Sequence, residues 1–131
     1  MRTVYQEDEF GCGIACIAMF SGLTYHAAKK IVAGIEGLYD ESSGIDYEPM
    51  FDFLRIRGFM VSKKFALNLE NPITRVSGNA IVDGFTLGTR GSIRRNSERS
   101  HWVVWDAESQ VIRDPAGYTR PFLATKCWKV S

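Results

Sequence analysis

One cysteine, Cys12, stands between Gly11 and Gly13 at the head of an apolar, alanine-bearing stretch that runs to Met19, with Gln6 six residues upstream. This is the setting a thiol nucleophile needs. A helix N-terminus favours thiolate over thiol. The unpaired backbone N–H groups there can also hold an oxyanion. Glycines on either side let a substrate backbone approach closely. The same residues also fit an ordinary core helix with two buried cysteines, Cys12 and Cys16, because free cysteine is among the most buried residue types. Cys16 sits one helical turn below Cys12 and reads as a small packed hydrophobe.

A thiol nucleophile needs a base, and the chain has only two histidines. His26 falls within a helical pattern with no acidic partner nearby in sequence, which reads as a surface or half-buried helix position. His101 opens the run through Trp102, Val103, Val104 and Trp105 to Asp106, a strand by its β-branched and aromatic content. A hairpin follows. With Ala107 and Glu108 as a two-residue loop, Val104 faces Val111 and His101 falls directly across from Asp114. Directly opposed side chains share a face with Cβ atoms about 4.5–5.5 Å apart. Asp114 would then accept the Nδ1–H of His101 and leave Nε2 free as a base. Strand parity rejects the nearer acid: Asp106 is five residues from His101 and points to the opposite face.

The elements around these residues follow an α+β order. A first helix fits residues 12–20 and ends near Ser21 and Gly22. Thr24 is placed to cap a second helix from Tyr25 to about Ile35, with Ala27, Ala28, Ile31, Val32 and Ile35 on one stripe. A third helix begins near Asp46, carries Pro49 in its first turn and stops at Gly58. Beyond Gly58 the pattern turns to strands: 59–67, 80–85, 101–106, 110–113 and 126–130, with a turn at Asp114–Gly117. Helices first and an antiparallel sheet second define the class.

Composition narrows the function. A chain of 131 residues supports one domain, residues 1–131, with one core. Sixteen basic against fifteen acidic residues make no field that would attract nucleic acid. No apolar run approaches the ~20 residues of a membrane span. The N-terminal stretch lacks the apolar region of a signal peptide, so the expected location is the cytoplasm. Three cysteines, an odd number, argue against a disulfide framework. The four-residue step from Cys12 to Cys16 is not a zinc or redox spacing, and a zinc site would have to recruit Cys127, His26 or His101. No metal and no cofactor are expected. Between Gly88 and Ser100 lie Arg90, Arg94, Arg95 and Arg99, either a solvated loop or a contact for an acidic substrate or partner.

Taken together, Gln6, the Cys12-Gly13 pair, the small apolar helix, His101 with its Trp-Val-Val strand and the Asp114-Pro115 pair resemble the papain-superfamily cysteine peptidases that process bacteriocin leaders. In that family the domain is commonly the N-terminal part of an ABC exporter and cuts after a double glycine. The resemblance covers the chain from Gln6 to about Gly117. It implies a papain-like fold with N-terminal helices on a C-terminal antiparallel sheet, here free-standing, and a bacterial or phage origin. It implies Cys12 as nucleophile, His101 as general base and acid, Asp114 as the orienting residue and Gln6 as a side-chain donor to the oxyanion, with a peptide or protein as substrate. A glutamine deamidase or acyltransferase, an effector toxin, and a leader-binding module that does not cleave remain open alternatives.

Overall fold

The computed structural model describes residues 1–87, 101–119 and 121–131. The protein is α+β, with three helices packed on a five-stranded antiparallel sheet. The helices are α1 (Cys12–Ser21), α2 (Tyr25–Ala33) and α3 (Tyr47–Ile56); the strands are β1 (Phe65–Ala66), β2 (Ala80–Thr86), β3 (His101–Asp106), β4 (Val111–Arg113) and β5 (Phe122–Lys129). Their order across the sheet is β1-β5-β2-β3-β4. Among the described residues no helix is long and apolar enough to cross a membrane.

Each helix is bounded by residues that suit its ends. The Thr24 side chain accepts from the Ala27 N–H at 3.1 Å and starts α2. Gly22 closes α1 in the left-handed region at φ 68°, where a side chain would be strained. α1 has no polar face. Its residues from Gly13 to Met19 are all buried, which makes it the central helix of the core. α2 is shorter than its stripe predicts: it stops at Ala33, and Ile35 is 42% exposed.

The sheet separates two apolar layers by side-chain alternation. Ile81, Trp102, Val104 and Trp128 join the helices in the larger core. Ala80, Val82, Val103, Trp105 and Cys127 form a smaller cluster on the other face. The expected strand over 59–67 reduces to a bridge at Val61 and the two-residue β1. The last strand begins at Phe122, earlier than its sequence pattern suggests. A bulge explains why. The β2–β5 register shifts between Asp83 and Gly84, leaving Thr125 as the extra residue, and the Thr125 hydroxyl donates to the Asp83 carbonyl at 3.0 Å. Gly84 is held so close to β5 that a Cβ there would drive into the Leu123 carbonyl.

The β3–β4 hairpin corrects one expectation. Val104 pairs with Arg113, not Val111, and Asp106 pairs with Val111. The loop therefore holds four residues, 107–110, and Gln110 takes a positive φ of 56° within it. Asp106 is the reason. Its buried carboxylate accepts from the Ser109 N–H at 3.3 Å and from Arg113 Nε at 2.9 Å, which closes a longer loop than two residues allow. Burial works to raise the Asp106 pKa, but the Arg113 guanidinium and the Ser109 amide outweigh it and hold the carboxyl below its ordinary value.

Candidate active site

Cys12 is the first residue of α1, and Gly11 before it has no side chain to cap the helix. The N–H groups of the first turn are therefore not used by a cap. The approach to the helix is fixed from outside. The Gly11 N–H donates to the Asp8 carbonyl at 3.1 Å, and the Tyr25 ring of α2 lies where a Gly11 side chain would stand. The Tyr25 hydroxyl donates to Asp8 Oδ2 at 2.6 Å, and Lys29 Nζ meets the same carboxylate at 2.9 Å. Tyr25 is held in its phenol form, its pKa raised well above the ordinary phenol value chiefly by burial and then by the Asp8 carboxylate. On the far side Ile45 packs against Gly13, where an added Cβ would lie 3.3 Å from the Ile45 Cβ, a tight fit.

His101 opens β3 and is mostly buried. Its Nε2 lies 2.6 Å from Asp114 Oδ1. This corrects the expected tautomer: Nε2, not Nδ1, faces the acid, so Nδ1 is the ring nitrogen left for the thiol. The Cys12 side chain is both a hydrogen-bond partner and a charge neighbour of the ring. Burial alone would lower the His101 pKa. The Asp114 carboxylate and Cys12 outweigh it and raise the pKa from 6.5 to about 9. The ring is framed by Phe122 and Tyr118, each with its centroid 6.3 Å away.

Asp114 is held by its own turn. The Ala116 N–H donates to Oδ1 at 2.8 Å, and the Gly117 N–H donates to the Asp114 carbonyl at 3.0 Å. The turn is tied to the stretch that leads into Cys12, because the Gln6 N–H donates to the Pro115 carbonyl at 2.8 Å.

Gln6 is the site residue whose geometry departs most from expectation. Its Nε2 donates to the carbonyls of Asp8 and Glu9, both at 3.0 Å, while Oε1 is buried with no partner among the described residues. Rotating the amide would set Oε1 against two carbonyls, so the orientation is fixed. In this conformation both amide donors are spent on the loop that leads into α1.

Cys12, His101 and Asp114 are thus brought together, and Gln6 joins them through its backbone. Cys16 is fully buried, and burial pushes its pKa well above the ordinary thiol value, with Cys12 and Asp114 adding to the effect. His26 is exposed on α2. The arginines at 90, 94, 95 and 99 lie outside the described residues. Sequence reasoning missed Tyr25, Asp8 and Lys29, which position the head of α1; the acid and its two donors are far apart in the chain and carry no local pattern. Compared with models of protein families and with curated proteins, the chain matches neither.

Proposed function

We propose that the protein is a small cysteine peptidase of papain-like architecture, with Cys12 as nucleophile, His101 as base and acid, and Asp114 as the orienting carboxylate. The observation that carries this reading is the short Asp114–His101 bond at Nε2, with the Cys12 thiol near enough to the same ring to raise its pKa. In the reaction the Cys12 thiol passes its proton to Nδ1, and the thiolate attacks the substrate carbonyl carbon. The tetrahedral oxyanion takes hydrogen bonds from the N–H groups at the head of α1. The C–N bond then breaks, the imidazolium gives its proton to the departing amine, and a thioester remains. Water, losing a proton to His101, attacks the thioester, which releases the carboxylic acid and restores the thiol.

Gln6 would act as a second oxyanion donor only if substrate draws its amide from the Asp8 and Glu9 carbonyls. Its unpartnered, buried Oε1 favours that motion, since the present conformation already leaves one polar atom unsatisfied.

A peptidyl acyloxymethyl ketone tests the assignment. Labelling of the wild type that is lost in Cys12→Ala and in His101→Ala is expected. Equal labelling of Cys12→Ala would overturn it. A deamidase or acyltransferase would label in the same way but would change the mass of a substrate without cutting it. A binding module would retain peptide without labelling.

A further inference from the structure

The helix-facing side of the sheet carries a charged group that the proposed chemistry does not use. Asp83 is 2% exposed, and its Oδ1 has no partner among the described residues. Its Oδ2 lies 3.5 Å from Lys126 Nζ, across from it on β5. That ammonium also stands 5.1 Å above the Tyr47 ring and 5.9 Å above the Trp128 ring, and Tyr47 packs edge-on to Trp102 at 5.6 Å. The carboxylate is too deep to meet a ligand. It serves to anchor Lys126, whose ammonium has three donors and, among the described residues, one anionic partner. The ring faces hold the cation in place without consuming those donors.

Two chain connections tie this cluster to the elements that carry Cys12 and His101. Trp102 directly follows His101 on β3, with its side chain turned to the helix-facing core, and Tyr47 is two residues beyond Ile45, which packs against Gly13. A groove of about 430 Å³ runs on from Tyr47 and Trp128 past Lys63 and Lys64. Of the other charges lining it, Arg55 and Asp52 pair with each other at 3.2 Å, leaving the two lysines against Glu48 alone. The exposed excess is positive, and the buried charge behind it is negative.

We infer that Lys126 is the specificity residue of a substrate subsite that takes an acidic side chain of the peptide, with Lys63 and Lys64 extending the same preference along the groove. The inference rests on the peptidase reading for the identity of its ligand as a substrate, but its binding test does not need catalysis. A charge-assisted contact to a substrate carboxylate is stronger than one to a neutral amide.

The test uses short acetylated peptides carrying Glu, Gln or Arg at each position in turn, in two arms. Binding to Cys12→Ala is followed by fluorescence polarisation, and labelling of Cys12 is followed with the same peptides as acyloxymethyl ketones. The expected result is a preference of about tenfold for Glu over Gln at one position. That preference should survive in Lys126→Arg and fall within about twofold in the charge-neutral double variant Asp83→Asn/Lys126→Gln, which leaves no unpaired carboxylate in the core. Thermal unfolding of the double variant confirms that it folds. Should it fail to fold, Lys126→Glu in the Asp83→Asn background replaces it, with a reversed preference for Arg expected. Equal binding of Glu and Gln peptides, or a preference that survives the variants removing the charge of Lys126, would overturn the inference. Acid preference in binding without any labelling would leave the subsite standing and remove the peptidase reading; labelling without acid preference would do the reverse.

Discussion

Asp114 meets His101 although the two are not directly paired across the hairpin. The observed register, continued from Val104–Arg113, would set Ala116 opposite His101, and Asp114 lies two residues short of that. The carboxylate nevertheless reaches Nε2 at 2.6 Å. A displacement of two keeps the side chain on the same face, as a displacement of one would not. The acid therefore comes from the first residue past β4, where the chain has left the ladder and the Asp114–Gly117 turn can aim it.

That bond gives the pH dependence its sign. The His101 pKa is raised to about 9, so the imidazolium that pairs with a thiolate persists up to that pH. Activity should fall on an alkaline limb near pH 9. In Asp114→Asn the raising influence of the carboxylate is lost while burial and Cys12 remain, so the limb moves to lower pH and the rate drops at every pH. The same shift contributes stability that is fully present below pH 6.5 and is lost as pH rises through about 9. Melting temperatures at pH 6 and pH 10 should therefore differ more in the wild type than in Asp114→Asn.

Cys16 should be silent in the chemistry. Its fully buried thiol is far above the ordinary pKa, so it stays protonated and unreactive. Cys16→Ser should keep wild-type labelling per folded molecule while losing about 1–3 kcal/mol of stability, because a hydroxyl without a partner would be buried. Mass spectrometry of the labelled peptide and a urea melt check both halves.

Gly11→Ala should disturb the head of α1 directly. The added methyl meets the Tyr25 hydroxyl and ring, and the Asp8 carbonyl behind them is backbone. A cost of about 1–3 kcal/mol and a slower reaction are expected. Tyr25→Phe in the same chain should restore part of the stability by removing the colliding oxygen. Lys29→Met, which leaves Tyr25 in place, should slow the reaction only slightly.

Gln6 separates two arrangements of the oxyanion site. If its amide turns to the substrate, Gln6→Ala should lower the rate by about 10²–10³ with little change in substrate affinity. If it stays on the Asp8 and Glu9 carbonyls, the loss should appear as lower stability of the loop, read by faster amide exchange at Gly11, with a rate change below about tenfold.

Gly84→Ala should be the most damaging single change near His101. Here the added carbon meets the Leu123 carbonyl, which cannot rotate away as a side chain can. Since Gly84 pairs with His101 on one side and Ala124 on the other, forcing β5 aside moves the strand that positions the base. Loss of about 3 kcal/mol or more is expected from chemical denaturation, with activity lost in the fraction that folds.

The residues in this account were legible in the sequence to different degrees. The three helices and β3 announce themselves through periodicity and through the β-branched, aromatic run after His101. The pairing of His101 with Asp114 was legible because parity tolerates an error of two. The loop length was not, because the side-chain bonds of Asp106 that set it appear in no turn motif. The extent of β5 was hidden by the bulge at Thr125, which breaks the alternation a strand is recognised by. The conformation of Gln6 depends on two backbone carbonyls, and backbone geometry leaves no trace in residue types. Lys126 and Asp83 lie on neighbouring strands far apart in the chain, so their meeting over an aromatic floor follows only from the register.

The N-terminal stretch is sewn to the hairpin at two points: Thr3 Oγ1 accepts from Arg113 Nη1 at 3.0 Å, and the Gln6 N–H meets the Pro115 carbonyl. Those stitches flank Asp114 in the chain. Tension applied at the first residues would thus be borne by the Asp114 turn, and the Asp114–His101 contact would slacken while the helical core was still intact. The site behaves mechanically as a clasp whose tongue is residues 3–6.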